Sequence, residues 1–359
     1  MAGRGAPFLL LGIAFGAAAA SVVALLHPAV RDACIAITAL FLFAFFIGYR
    51  IVEGDLRRGR PFEDHGRMAR WRHPARHPLA LLANGVANSR VLSAWLEPLP
   101  MAPMVSDIED VLYINYLVPA AVAAKYVPYG LELERLGSAG EWALFSFLTC
   151  RHGHFGFRFL GPLRRLFPSP VQTNWRIHVR DPRTGIRGIY FLTNGIDFTP
   201  PALGARLFTE GMPMHVFEHS EITRDAAGGI RFSFTAGQGT APVASGDLIP
   251  AEAPELAGPW ADAFGDWSQF LAYCVPQNRA MSGQRWHRRI TRHEITLPIP
   301  LDRVEPLAPR GPGAIVSATA AAIAGDAEPI CFRVPNLFFT FEAELHDAVP
   351  DAEDPRAGA

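Results

Sequence analysis

Residues 174–192 read NWRIHVRDPRTGIRGIYFL, and the period of that run is two. Trp175, Ile177 and Val179 fall on one side of an extended chain, and Asn174, Arg176, His178 and Arg180 on the other, because successive strand side chains point to opposite faces. Asp181-Pro182-Arg183-Thr184-Gly185 supplies a turn, proline fixing one φ and glycine offering a positive one. Ile186–Leu192 then returns as a second β-rich segment, so the stretch predicts an antiparallel hairpin. Residues 110–117, 141–149, 230–235, 285–297 and 337–345 carry the same signal, clearest in IRFSFT at 230–235, where apolar and polar positions alternate. Helical spacing is confined to residues 79–96, 119–126 and 260–273; in the last, Trp260, Phe264, Trp267 and Leu271 form a core stripe. With no internal repeat, the expectation is a single α+β domain, mostly β, over residues 106–345.

The chain ahead of this domain is of another kind. Phe8–Leu26 holds nineteen residues without a charge, and Ala33–Tyr49 is a second uncharged run that Ile51 and Val52 extend. Each approaches the roughly 20 residues that cross a bilayer as a helix, so residues 1–53 are expected to form a transmembrane hairpin with spans at 8–26 and 33–52. The link between the runs carries Arg31 alone, whereas Arg50, Arg57, Arg58, Arg60, Arg67, Arg70, Arg72 and Arg76 follow the second. The positive-inside rule then places the soluble domain on the cytoplasmic face of a bacterial inner membrane. A signal peptide cleaved near Ala17–Ala20 is an alternative, and a buried core hairpin is another, disfavoured by helices apolar all round. Residues 54–105 read as a basic, solvated juxtamembrane linker followed by an amphipathic or buried helix, and 346–359 as a disordered acidic tail.

Net charge is −1, which gives no electrostatic footprint for nucleic acid. The partners expected are the lipid bilayer and a small-molecule ligand. Cys34, Cys150, Cys274 and Cys331 are scattered, with no CxxC pair, so neither a zinc site nor a disulfide framework is expected. No P-loop, dinucleotide fingerprint, nucleophile elbow or HExxH is present; no metal and no cofactor is expected.

Four segments in order resemble the YqjF-like family of uncharacterised proteins, related to the acetoacetate decarboxylase superfamily. They are Tyr113–Tyr116 with Val127–Glu132, Asn174–Val179 with Gly188–Phe191, Ala205–Phe208 with Gly211–Pro213, and Phe270–Leu271 with Ile290–His293. The resemblance implies a closed β-barrel-type domain. The superfamily's enzyme condenses a lysine of lowered pKa with a ketone, its motif lysines following a Gly-x-Pro. Here Gly211-Met212-Pro213 is followed by Met214 and His215, neither of which can form a Schiff base. Lys125, the one lysine among 33 basic residues, lies far from that motif and reads as a surface residue.

Candidate site residues follow from the strands. If the polar face of 174–180 turns inward, Asn174, Arg176 and His178 are ligand-binding, Arg176 gripping a carboxylate in bidentate fashion, with Met214 at the place of the missing lysine. His178, His215 and His293 are candidate catalytic acid/base residues. His215, Glu218 and His219 offer a weak metal set. His152 and His154 read as part of a basic exposed loop, and Arg285, His287, Arg289, Thr291 and His293 as a solvated edge. The functional expectation is a membrane-anchored barrel that binds a small, partly apolar, carboxylated ligand without lysine chemistry. Alternatives are a lyase or hydrolase using histidine, and a membrane-associated interaction module.

Overall fold

The computed structural model describes residues 6–26, 28–97, 99–276 and 278–349. Two long helices, α1 (Ala6–Leu26) and α2 (Arg31–Gly59), pack as an antiparallel hairpin. Gly48 meets Leu10 and Gly16 meets Phe41, small residues that let the helices approach closely. Both are long and apolar enough to cross a membrane, and the most apolar stretch of each is left almost uncovered by the rest of the chain, which removes the buried-core reading. α2 runs beyond residue 52 because Glu53 pairs with Arg57 at i,i+4, 2.7 Å apart, and Arg57 and Arg58 oppose the dipole of its last turn.

The helix expected over 79–96 is two, α3 (Pro78–Ala87) and α4 (Arg90–Leu96), broken where Ser89 leaves helical geometry and caps Leu92 N at 3.1 Å. α3 turns Ala80, Ala83 and Ala87 inward and leaves Leu79, Leu81 and Leu82 exposed. The Glu53 carboxylate reaches across from α2 to accept from Ser89 Oγ (3.1 Å), Arg90 N (3.1 Å) and Val91 N (3.0 Å). A side chain of the hairpin therefore satisfies the open N–H groups of α4. Nor is the basic linker solvated: Arg67, Met68, Ala69 and Trp71 are buried, and Gly66 N donates to Leu192 O at 2.6 Å.

The remainder is β1 (Met104–Pro119), α5 (Ala120–Ala123), β2 (Glu132–Leu133), β3 (Trp142–Phe157), β4 (Val171–Arg180), β5 (Arg187–Ile196), α6 (Thr199–Phe208), β6 (Met214–Val216), β7 (His219–Arg224), β8 (Ile230–Thr235) and β9 (Ala244–Pro250). It continues with α7 (Pro259–Phe264), α8 (Trp267–Cys274), β10 (Arg279–Gln284), β11 (Arg289–Thr296), β12 (Glu305–Pro309), β13 (Ile315–Val316), α9 (Ala318–Ala324) and β14 (Ile330–Ala348). Strands β1–β3–β4–β5–β10–β11–β14 form one sheet whose ends meet, since β14 pairs with both β11 and β1. This closed ring bears out the α+β, mostly β, barrel-type expectation. An arm, β12–β9–β8–β7, continues from β14. Within it, Phe232, Phe234 and Leu248 bury one face of the ring together with Phe145, Phe147 and Trp175, and Phe147 stacks on Trp175 at 4.2 Å.

The opposite face carries Tyr113, Leu144 and Phe332 beneath α7 and α8. The helix expected over 260–273 breaks at Gly265, held at φ 75°, after which Asp266 caps Gln269 N at 2.8 Å and starts α8. His346, Asp347 and Ala348 belong to β14 rather than to a disordered tail; that tail from 350 onward lies outside the described residues.

Candidate functional site

The hairpin of β4 and β5 keeps the predicted alternation, with a bulge between Trp175 and Arg176. Trp175, Ile177 and Val179 are core on one face, and on the polar face Arg176 and His178 are buried and Asn174 half-buried, with Arg180 alone exposed. A chain of side chains runs along this polar face. His152 contacts Ser106 Oγ (2.8 Å) and Gln172 Oε1 (3.0 Å), Gln172 Nε2 donates to Asn174 Oδ1 (2.8 Å), and Asn194 Nδ2 donates to the same oxygen. His152 is thus not part of an exposed loop, and burial pulls its imidazole down to about 4.

Arg176 and His178 continue the face beneath α8. Arg176 is 0% exposed and its guanidinium lies 5.3 Å over the Tyr113 ring. Tyr113 and Cys274 are its polar neighbours, and burial draws its pKa below the ordinary value. Its Nε and Nη2 have no hydrogen-bond partner, and among the described residues no carboxylate pairs with it. Beside it His178 stacks on Tyr273 at 4.7 Å, its Nε2 unpartnered. Burial, then Arg176 and Arg187, holds His178 well below its usual value, hence neutral. Burial lifts Tyr113 to about 12 against the pull of Arg176. The assembly is a desolvated cation walled by aromatic rings.

The other expected residues are not brought here. Met214 packs with Trp71, Ala83 and Ile196 in a separate apolar cluster. His215 contacts Thr240 Oγ1 at 2.8 Å and is kept neutral by burial and Arg206. Because β6 ends at Val216, His219 begins a new, exposed strand, which takes apart the His215/Glu218/His219 set. Lys125 is exposed. His178, His215 and His293 therefore occupy three environments rather than one pocket.

A second cluster escaped the sequence reading. Thr291 and His293 are buried, not solvated, and β11 places them with Arg289 toward Glu210, in the loop after α6. Glu210 receives Arg289 and Thr291, and Arg67 stands 3.8 Å away. Glu97, at the end of α4, takes Arg67 at 2.8 Å and His287 at 2.8 Å. Glu97–Glu210–His287 and Glu210–Glu344–His346 each bring three donor atoms within 4.8 Å of one another. The signal was the alternation of Arg289, Thr291 and His293, but the acidic partners come from positions 97, 210 and 344, which no local window joins.

Known proteins resemble the chain at two levels. Among solved structures it is similar to an acetoacetate decarboxylase-like enzyme from Sphingomonas wittichii RW1 (8% identity, 69% of this chain and 94% of that one, TM-score 0.48). It is similar to the acetoacetate decarboxylase of Legionella pneumophila (12%, 69% and 89%, TM-score 0.46) and to the enduracididine biosynthesis enzyme MppR complexed with pyruvate (14%, 69% and 91%, TM-score 0.45). No curated protein matches by sequence. Residues 106–304, which hold nearly all of β1 through β11 with Arg176 and His178 but not Arg67, Glu97, Glu344 or His346 of the second cluster, match one family model, and the chain belongs to that family, DUF2071, described as an uncharacterized conserved protein (COG2071).

Proposed function

We propose that the protein is a membrane-anchored binding protein for a small, partly apolar carboxylic acid, held by Arg176 beneath α8 without lysine chemistry. The observation that carries this reading is the wholly buried Arg176, whose Nε and Nη2 lack partners. Burying a cation unpaired is costly, and a planar carboxylate fits two guanidinium N–H groups. Tyr113, Phe270 and Phe332 supply apolar walls, and neutral His178 adds a polar atom at the rim. Access requires α7 and α8 to lift, and glycines at positive φ, Gly258 and Gly265, flank α7. The hairpin α1–α2 spans the membrane in this reading, and exposed Leu79, Leu81 and Leu82 on α3 give the domain further apolar contact with the bilayer. The scatter of the three histidines counts against a lyase or hydrolase that uses them together.

Native mass spectrometry and thermal shift of the detergent-solubilised chain against a panel of small aromatic and branched-chain carboxylic acids test the site. Retention of one acid, lost in Arg176→Met, is expected; a protein that retains and responds to none refutes it. The anchor is tested separately by a reporter fused after residue 78, which should be active only in the cytoplasm.

A further inference from the structure

β11 and β14 pair antiparallel with His293 opposite Glu344 and Thr291 opposite His346, and opposed residues share a face. Register through β4, β5 and β10 puts these four on the face that carries Arg176, with Ile189, Phe191 and Ala280 between. His293 Nδ1 lies 3.5 Å from Glu344 Oε2, and His346 Nε2 lies 3.8 Å from Glu344 Oε1. The loop after α6 closes over His293 at Gly211, where a Cβ would come within 2.2 Å of Nε2. His293 is 1% exposed with neither ring nitrogen hydrogen-bonded, and Glu344 Oε2 is likewise unpartnered. Buried polar atoms of this kind call for a partner.

The protons can be placed. The single hydroxyl hydrogen of Thr291 goes to Glu210 Oε2, so the 3.0 Å contact between Thr291 Oγ1 and His346 Nδ1 takes its hydrogen from the imidazole. His346 Nε2 is then left with a lone pair beside Glu344. A metal-ligating histidine has the same arrangement, its second nitrogen donating to an outer partner. Arg289 and Arg67 answer the charge of Glu210, leaving Glu344 as the carboxylate of the group that no arginine pairs with among the described residues.

We propose that His293 Nδ1, Glu344 and His346 Nε2 form a site for a divalent first-row transition ion of the zinc class, with Thr291 and Glu210 orienting His346. Donors bound at about 2.0–2.1 Å in tetrahedral geometry sit roughly 3.3 Å apart, and the two oxygens of Glu344 already lie 3.5 Å from His293 Nδ1 and 3.8 Å from His346 Nε2, so binding draws the two imidazoles together around one carboxylate. Two imidazoles with one carboxylate select such an ion over magnesium or calcium. The side chain of His346 is 34% exposed, giving the ion an entry. The inference stands apart from the carboxylic-acid reading.

The test uses the full chain in detergent, stripped with chelator and titrated with zinc alone by calorimetry, then with cobalt followed by visible absorption. One equivalent should bind, with the intense bands of a four- or five-coordinate nitrogen/oxygen site. Glu344→Gln and His346→Asn should each weaken zinc at least about 100-fold, and Thr291→Val roughly 10- to 100-fold, while His219→Asn on the exposed strand changes nothing. Glu344→Gln keeps the shape of the protonated acid, so its fold survives. No zinc bound by the wild type, a spectrum of six-coordinate aquo cobalt, or unchanged affinity in Glu344→Gln overturns the proposal.

Discussion

Arg176 and Trp175 are neighbours in sequence and opposites in energetics. Trp175 is 0% exposed against Phe147, and Trp175→Ala should cost about 3–5 kcal/mol, the usual penalty for emptying an aromatic core position. Arg176→Met removes a buried charge that has no ion partner, so in ligand-free protein its unfolding free energy should stay within about 1 kcal/mol of wild type or rise; chemical denaturation of both variants separates the two effects. Glu210 is the reverse case, a buried carboxylate clamped by Arg289 and Thr291. Glu210→Ala should lower stability by about 3–5 kcal/mol, because the half-buried Arg289 and the buried Thr291 lose the anion that both bind. Asn174, Arg176 and His178 were legible as one face because period two is local. That the face is covered was not legible, since α8, which covers it, lies nearly a hundred residues away.

At the scale of elements, strand identity was readable wherever apolar and polar residues alternate, as in β8, whose bounds are those expected. It failed for β10, RAMSGQ, which has little alternation and owes its place to pairing with β11 and β5. Gly283 shows why: a Cβ there would stand 1.7 Å from Tyr129 O, so backbone packs on backbone. Gly283→Ala should destabilise the domain more than any exposed alanine substitution, read as a drop in Tm. Helix breaks at Ser89 and Asp266 were missed because a buried stripe runs past the break, while the short polar side chains that begin the next helix are the true boundary signal. Ser89→Ala removes the Leu92 cap and the Tyr49 contact at 2.7 Å, and should cost about 0.5–2 kcal/mol.

Over the whole molecule, four buried histidines are held neutral by burial, His152 and His293 with values drawn down to about 4 and about 3, and His178 and His215 held well below the ordinary value. In the unfolded chain each titrates near 6.5. The unfolded state therefore takes up protons first as pH falls below about 6.5, and stability present above that pH is lost toward pH 4. Glu344 has the opposite sign: raised to about 7, it favours the fold at low pH and withdraws that support as pH rises from about 4.5 to 7. Thermal unfolding of metal-free protein should show a Tm falling on acidification below 6.5. Glu344→Gln should gain on wild type between pH 5 and 8, and a flat difference would contradict the assigned burial. Ring closure was legible only through family resemblance, because the pairing of β1 with β14 joins residues more than two hundred positions apart. That closure also sets an order of birth. The apolar hairpin leaves the ribosome ahead of the ring strands and β14 comes last among them, so during synthesis β1 and β11 wait as open edges. The barrel can shut only after residues 330–348 emerge, so the last ring strand to be made is the one that removes both open edges at once.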